Sequence, residues 1–107
     1  MIQLSKKMNT TIEERDGKYV ATLKGEMDTV AAIDAEQVLK PLYDAGGKDI
    51  LIDCTDLEYI ASSGLRILLS ILKGAKASGS RVVLKNVNDD IKNVFRLTGF
   101  IDIFEFE

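Results

Sequence analysis

Histidine is absent from the 107 residues of this chain, and cysteine and proline occur once each. Without histidine, neither a Ser-His nor a Cys-His catalytic pair can form, and a metal site would have to consist of carboxylates alone. The single cysteine, Cys54, excludes a disulfide within the chain and is expected to pack as a small apolar side chain at the end of a strand. We therefore expect a protein that is not an enzyme and that needs no cofactor or metal.

Long apolar runs and dense basic clusters are also missing. No stretch is long enough to span a bilayer, and the first eight residues contain no apolar run of signal-peptide length. Fourteen basic and seventeen acidic residues give a net charge of −3, without a Lys/Arg cluster that could follow a phosphate backbone. The sequence therefore predicts a soluble, cytoplasmic protein that neither binds nucleic acid nor inserts into a membrane.

The composition is that of a folded domain. Apolar residues make up 46% of the chain, which is enough for a core without disulfides or metals at this length. We expect one domain over residues 1–107. Residues 10–15 and 18–24 flank Asp16-Gly17, a dipeptide suited to the two positive φ angles of a tight turn. The chain thus begins with a β-hairpin whose second arm turns Tyr19, Ala21 and Leu23 toward the core.

A helix is predicted to follow this hairpin. Asp28 or Thr29 can cap a helix that begins near Ala31, and Pro41 predicts a kink or an early end because it lacks an N–H group. Gly46-Gly47 ends the element. The expected inner face consists of Ala31, Ala35, Val38, Leu39 and Leu42.

The central part of the chain combines a short strand, an acidic loop and a second helix. Residues 50–52 form an apolar β-branched run, which predicts a strand covered on both faces. An acidic loop follows, and a helix begins at Ser62 or Ser63 and ends at Gly79. Its apolar stripe consists of Leu65, Ile67, Leu68, Leu69, Ile71, Leu72 and Ala75.

The last third repeats the alternation of strand and helix. Residues 81–85 predict a strand, Asn88 caps a helix that ends at Gly99, and residues 101–106 form an edge strand or a covering segment. The inward side chains of that helix are expected to be Ile91, Val94, Phe95 and Leu97. The predicted fold is α/β, with an opening hairpin and then alternating helices and strands around a mixed sheet.

Polar side chains are expected to meet where the parallel strands end. Asp28, Asp53, Asp56 and Ser62 all follow predicted strands. Each has a structural alternative, since an aspartate often caps a helix or fixes a turn and a serine often caps a helix. A phosphate on a serine at a helix start would be favoured by free N–H groups and the helix dipole, so modification is compatible with capping. A serine hydrolase is disfavoured because the turn before Ser62 lacks the leading glycine of a nucleophile turn and no histidine is present to act as base.

Two segments together carry a family resemblance. Residues 57–65 read LEYIASSGL, and residues 23–28 read LKGEMD. At this separation the chain resembles the STAS family (sulfate transporter and anti-sigma factor antagonist), specifically its free-standing bacterial anti-sigma factor antagonists. The resemblance implies that Ser62 is phosphorylated and that Asp28 lies beside it. The residue before the phosphoacceptor is commonly Asp in the family and is Ala61 here.

The resemblance also implies partners. One is an anti-sigma factor with serine kinase activity, which the protein would sequester while Ser62 is unphosphorylated, so that a sigma factor is freed. The other is a serine phosphatase that removes the phosphate from phospho-Ser62. Because Ala61 departs from the family pattern, an alternative stays open: a non-catalytic subunit of a membrane transporter or signalling scaffold in which Ser62 is only a cap. The partner surface is expected to include Asp28, Asp56, Ala61, Ser62, Ser63, Gly64 and Arg66.

Overall fold

The opening hairpin has the predicted form. The computed structural model describes residues 8–107, and in it β1 (Met8–Arg15) pairs antiparallel with β2 (Lys18–Met27). The turn residues Asp16 and Gly17 have φ angles of 54° and 78°, as a two-residue hairpin turn requires. Residues 1–7, for which the sequence predicts no signal peptide, lie outside the described residues.

Within residues 8–107, five strands form one mixed sheet in the order β1-β2-β3-β4-β5, and all neighbours after the hairpin are parallel. This confirms the predicted α/β fold. The remaining elements are α1 (Thr29–Leu39), a 3₁₀ helix (Lys40–Asp44), β3 (Ile50–Ile60), α2 (Ser62–Ser78), β4 (Val82–Lys85), α3 (Asp89–Leu97) and β5 (Glu105–Phe106).

The helices cover one face of the sheet. Strand order follows chain order, and right-handed crossovers between successive parallel strands place every connecting helix on the same side. In β3, Ile50, Ile52 and Cys54 are buried in the core, whereas Leu51 between them is only partly buried. Within residues 8–107 the second face of this strand is therefore only partly covered, which falls short of the predicted cover on both faces.

Strand β3 is also much longer than predicted. The segment taken for an acidic loop continues the strand to Ile60, because β2 extends alongside it and pairs Lys24 with Asp56 and Met27 with Ile60. The register shifts twice along this pairing, and such irregularities break the alternation that marks a strand in a sequence.

The helix boundaries agree with the sequence better than the helix faces do. Helix α1 ends at Leu39 and a 3₁₀ helix with Pro41 near its start follows, which confirms the predicted break. Gly79 ends α2 with a φ of 79°. Two predicted inward residues are wrong: Val38 and Leu97 are exposed, and the buried face of α1 uses Ala32 instead.

The end of the chain covers the core more than it extends the sheet. Only Glu105–Phe106 form a strand, and residues 101–103 are turns. The rings of Phe104 and Phe106 both pack edge-on against Phe95 with centroids 5.4 Å apart. This aromatic cluster closes the sheet side of α3.

Candidate functional site at the start of α2

Helix α2 begins without a polar cap. Ser62 is its first residue and is exposed, and the capping position is Ala61, whose backbone is extended (φ −85°, ψ 169°) and whose side chain makes no capping bond. The predicted helix start at Ser62 is therefore confirmed, whereas the structural alternative in which a serine caps the helix is wrong. The helix begins at Ser62 because the N–H of Leu65 donates to the carbonyl oxygen of Ala61, at 3.1 Å.

This geometry leaves an anion-favouring helix end around Ser62. The N–H groups of Ser62, Ser63 and Gly64 precede the first bond of the helix, and they point along the positive end of the helix dipole. An anion carried by the Ser62 side chain would be next to these donors. The position is thus suited to a phosphorylated serine, although Ser62 does not cap the helix.

Asp28 lies at the neighbouring strand end. It follows β2 and caps α1, with its Oδ1 accepting a bond of 2.8 Å from the N–H of Ala31. Strand β2 ends beside β3, since Met27 pairs with Ile60 and the N–H of Ala61 donates to the carbonyl oxygen of Met27 at 2.8 Å. Asp28 and Ser62 therefore emerge side by side at one edge of the sheet.

Gly64 allows α2 to approach these strand ends. A Cβ atom at Gly64 would lie 2.7 Å from Sδ of Met27 and 2.8 Å from Cγ1 of Ile60. Both distances are far below ordinary contact, so only glycine fits with the surroundings unchanged. The last residues of β2 and β3 thus fix how closely the start of α2, and with it Ser62, approaches the ends of these strands.

A groove between α1 and α2 begins next to Ser62. Its volume is about 330 Å³, and Arg66 and Ser63 of α2 face Ile33 and Glu36 of α1 across it. The Oγ atom of Ser63 is buried and has no hydrogen-bond partner within residues 8–107. Arg66 is exposed one turn along α2, so both residues belong to the surface around Ser62.

Two of the predicted carboxylates lie elsewhere. Asp56 is exposed on β3 four residues before its end, roughly 13 Å back along the strand, and Asp53 lies about 23 Å back. The carboxylate of Asp53 accepts bonds from the hydroxyl and the N–H of Thr55, at 2.5 and 3.0 Å, and these bonds lower its pKa. The structure therefore does not bring Asp53 or Asp56 to the start of α2.

Sequence reasoning missed three exposed apolar side chains near this edge. Val30 and Ile33 on α1 are 74% and 62% exposed, and Tyr59, two residues before Ala61, is 49% exposed. A signal was available, because neither Val30 nor Ile33 belongs to the inner stripe that the sequence predicts for α1. Exposed apolar groups around a site of this kind are typical of protein-binding surfaces.

Other chemistries have little support in the described part of the chain. Burial raises the pKa of the Cys54 thiol to about 12, with a smaller contribution from the charge of Asp53, which disfavours a reactive thiolate. No group of three or more metal-ligating side chains occurs among residues 8–107. In the same residues, no helix combines the length and hydropathy that crossing a bilayer would require.

Comparison with known proteins identifies the family. The model of the STAS domain matches residues 9–107, which include the strand ends, Ser62 and the whole groove. The chain belongs to the STAS domain family. This STAS domain is 31% identical over 97 residues to BtrV of Bordetella bronchiseptica strain RB50, a match that covers 91% of this chain and 84% of BtrV.

Two further relatives are anti-sigma factor antagonists by name. The STAS domain is 30% identical over 98 residues to the anti-sigma-B factor antagonist of Staphylococcus aureus strain NCTC 8325, covering 90% of this chain and 91% of the relative. The crystal structure of an anti-sigma factor antagonist from Mycobacterium paratuberculosis superposes with a TM-score of 0.77 at 27% identity, over 98% of this chain and 89% of that one.

Proposed function

We propose that this STAS domain is an anti-sigma factor antagonist that is switched by phosphorylation of Ser62. In its unphosphorylated form it binds an anti-sigma factor through the start of α2 and so frees a sigma factor. The observation that carries the proposal is the exposed Ser62 at an uncapped helix start, beside Asp28 on the neighbouring strand end. Two relatives named as anti-sigma factor antagonists support it.

The proposed switch acts on the partner surface and leaves the fold intact. A phosphate adds nearly two negative charges and three acceptor oxygens at neutral pH. At Ser62 these charges meet open N–H groups, so the helix tolerates them. Inside an interface the same group must be desolvated or excluded, which costs several kcal/mol when no partner group matches it. Phosphorylation therefore releases the anti-sigma factor.

The chemistry of the switch belongs to the partners. We propose that the anti-sigma factor is itself the serine kinase that modifies Ser62 and that a serine phosphatase removes the phosphate. The STAS domain catalyses neither step. It contributes a hydroxyl group at a fixed position and a surface whose affinity for the kinase depends on the state of that hydroxyl.

The decisive experiment uses the purified chain and the kinase-type anti-sigma factors of its own organism, each purified separately. One of them should form a complex in the absence of ATP, and ATP should dissociate it while phosphate appears on Ser62. Phosphopeptide mapping distinguishes Ser62 from Ser63 and Thr55. Phosphate on Ser63 or Thr55 would contradict the proposal. So would the finding that ATP dissociates none of the complexes that form.

A second function keeps one observation in its favour. Ala61 stands where the family commonly has an acid, and in the structure it occupies the capping position without any polar contact from its side chain. A non-catalytic subunit of a transporter or signalling scaffold would not need kinase recognition at this position. Recovery of transporter subunits in place of a kinase in a pull-down would favour this alternative.

A further inference from the structure

The exposed face of α1 carries apolar side chains that the fold does not use. Val30 and Ile33 lie one helical turn apart and are 74% and 62% exposed, while the buried face of the same helix consists of alanines and a leucine. Leaving two β-branched side chains in water forgoes the free energy of burying them. These residues therefore mark a face of α1 that is suited to contact with another molecule.

The groove beside this face has an apolar floor and a charged rim. Ala32 and Ile67 form its floor and are almost fully buried, and Ile33 forms its α1 rim. Its volume of about 330 Å³ is at the lower end for a small-molecule site but ample for a protein side chain. The groove and the exposed face of α1 thus form one continuous surface that begins next to Ser62.

The α2 wall of the groove favours an acidic side chain of a partner, although Glu36 on the α1 wall is itself negative. Glu36 on the α1 wall accepts a hydrogen bond of 2.8 Å from the hydroxyl of Tyr43, so its carboxylate already has a partner. Arg66 on the α2 wall is exposed and forms no ion pair within residues 8–107. Helix α2 contains no acidic residue at all. The guanidinium of Arg66 is therefore available to a carboxylate on a partner.

We propose that the groove between α1 and α2 receives an apolar side chain of the anti-sigma factor, flanked by a carboxylate that pairs with Arg66. The apolar side chain packs on Ile33 at the α1 rim, Val30 extends this contact on the exposed face of α1 outside the groove, and the carboxylate lies at the α2 wall. This inference rests on the proposed function and extends it from Ser62 along two turns of helix. It makes α1 the element that selects which anti-sigma factor is bound, whereas Ser62 decides when it is released.

The apolar contact is tested by Ile33→Ser and Val30→Ser, with Leu97→Ser as the matched control. Leu97 is 79% exposed on α3, so its replacement changes surface hydropathy without touching the groove. Titration calorimetry with the purified anti-sigma factor should show affinity at least about tenfold lower for Ile33→Ser, and a change within about twofold for Leu97→Ser. If Ile33→Ser binds the anti-sigma factor as tightly as Leu97→Ser does, the apolar contact is wrong.

The charged contact is tested by Arg66→Glu, with Lys73→Glu as its control. Lys73 is exposed on the same helix but does not line the groove. Arg66→Glu should bind about tenfold more weakly or worse and should show a flatter dependence of affinity on salt than wild type. If Lys73→Glu weakens binding as much as Arg66→Glu does, the effect is one of net charge and the pairing is wrong.

The outcomes separate this inference from the proposed function. If wild-type protein binds no anti-sigma factor, the proposed function itself fails. If wild type binds and the Ile33 and Arg66 variants bind as tightly as wild type, only the proposed contact at the groove is wrong. Sedimentation of the free protein tests the competing occupant: a wild-type dimer that Ile33→Ser converts to monomer, with partner binding unchanged, would assign the surface to a second copy of the chain.

Discussion

The backbone N–H of Ala61 donates a hydrogen bond of 2.8 Å to the carbonyl oxygen of Met27. Met27 is the last residue of β2 and Ala61 is the residue before α2, so this bond fixes the start of α2 beside the cap of α1. The two side chains proposed for the switch, Asp28 and Ser62, are therefore held by the sheet and not by free loops. A rigid support of this kind suits a site at which a partner distinguishes phosphorylated from unphosphorylated Ser62 without a change in the fold.

We expect substitutions of Ser62 to separate binding from folding. Ser62→Asp should weaken anti-sigma factor binding by about a thousandfold, because an unmatched charge inside the interface costs several kcal/mol. Ser62→Ala should still bind and should resist release by ATP. Both variants should keep the circular dichroism spectrum of wild type, since the helix start favours an added anion. Titration calorimetry with and without ATP measures the two effects.

Asn93→Asp is the control for the added charge in Ser62→Asp. Asn93 is exposed on α3, and its replacement also lowers the net charge by one without touching the site. It should bind within about twofold of wild type. Equal affinities for Ser62→Asp, the phosphorylated protein and wild type would eliminate the interface mechanism, and a collapsed spectrum would indicate a conformational mechanism instead.

Asp28→Ala and Asn88→Ala form a matched pair of helix-cap variants. Asp28 accepts from the N–H of Ala31 and Asn88 from the N–H of Ile91, each at 2.8 Å. Losing a cap costs about 1 kcal/mol, so urea denaturation should show at least this loss for both variants, with a further loss in Asn88→Ala because the Asn88 amide also donates to the carbonyl oxygen of Leu57 at 3.0 Å. Only Asp28→Ala should also weaken binding to the anti-sigma factor. If both variants bind alike, Asp28 has no role in binding the anti-sigma factor.

The elements with strong local signals could be predicted from the sequence, and those set by pairing could not. The hairpin turn at Asp16-Gly17, the break at Pro41 and the end of α2 at Gly79 each depend on one or two residues with restricted or unusual backbone angles. The extension of β3 to Ile60 depends instead on a neighbouring strand with two register shifts. No pattern within residues 53–60 alone encodes that neighbour.

The candidate site shows the same division. Ser62 could be placed at a helix start because α2 has a clear apolar stripe, but the exact capping residue was wrong because Ala61 takes that position without a polar side chain. Asp56 lies within β3 and not in the acidic loop that the sequence predicts. Val30 and Ile33 lie outside the predicted inner stripe, which indicates that they are exposed, but only the packing shows that they lie near the start of α2.

We expect alanine to be destabilising at two helical glycines where propensity alone favours it by about 1 kcal/mol. At Gly74 a Cβ atom would lie 2.0 Å from the carbonyl oxygen of Tyr43, which is backbone and moves little; at Gly64 it would meet the side chains of Met27 and Ile60. Gly74→Ala should therefore lose more stability than Gly64→Ala, for which about 1–3 kcal/mol is expected. Chemical denaturation gives both values.

The same pair of glycines separates stability from function. Gly64→Ala shifts the start of α2 against the strand ends, so the folded variant should bind the anti-sigma factor more weakly than wild type. Gly74→Ala acts three turns away, where α2 meets the 3₁₀ helix, and its folded fraction should bind normally. Normal binding by folded Gly64→Ala would show that the position of Ser62 tolerates a shift of this size.

The hydroxyl of Tyr43 should make stability depend on pH in alkaline solution. Burial, followed by the hydrogen bond to Glu36 and its charge, raises the pKa of Tyr43 to about 12, whereas an unfolded tyrosine ionises near pH 10. Between about pH 10 and 12 the unfolded state therefore holds fewer protons than the folded state, and the free energy of unfolding falls as pH rises. Below about pH 10 the contribution of Tyr43 is fully present.

Tyr43→Phe lacks this titration, so the difference in Tm between wild type and variant should stay constant up to about pH 10 and then shift against wild type. Ultraviolet absorbance of tyrosinate, taken as wild type minus variant, should place the ionisation near pH 12; an ionisation near pH 10 with a constant difference in Tm would contradict the burial of the Tyr43 hydroxyl and its hydrogen bond to Glu36.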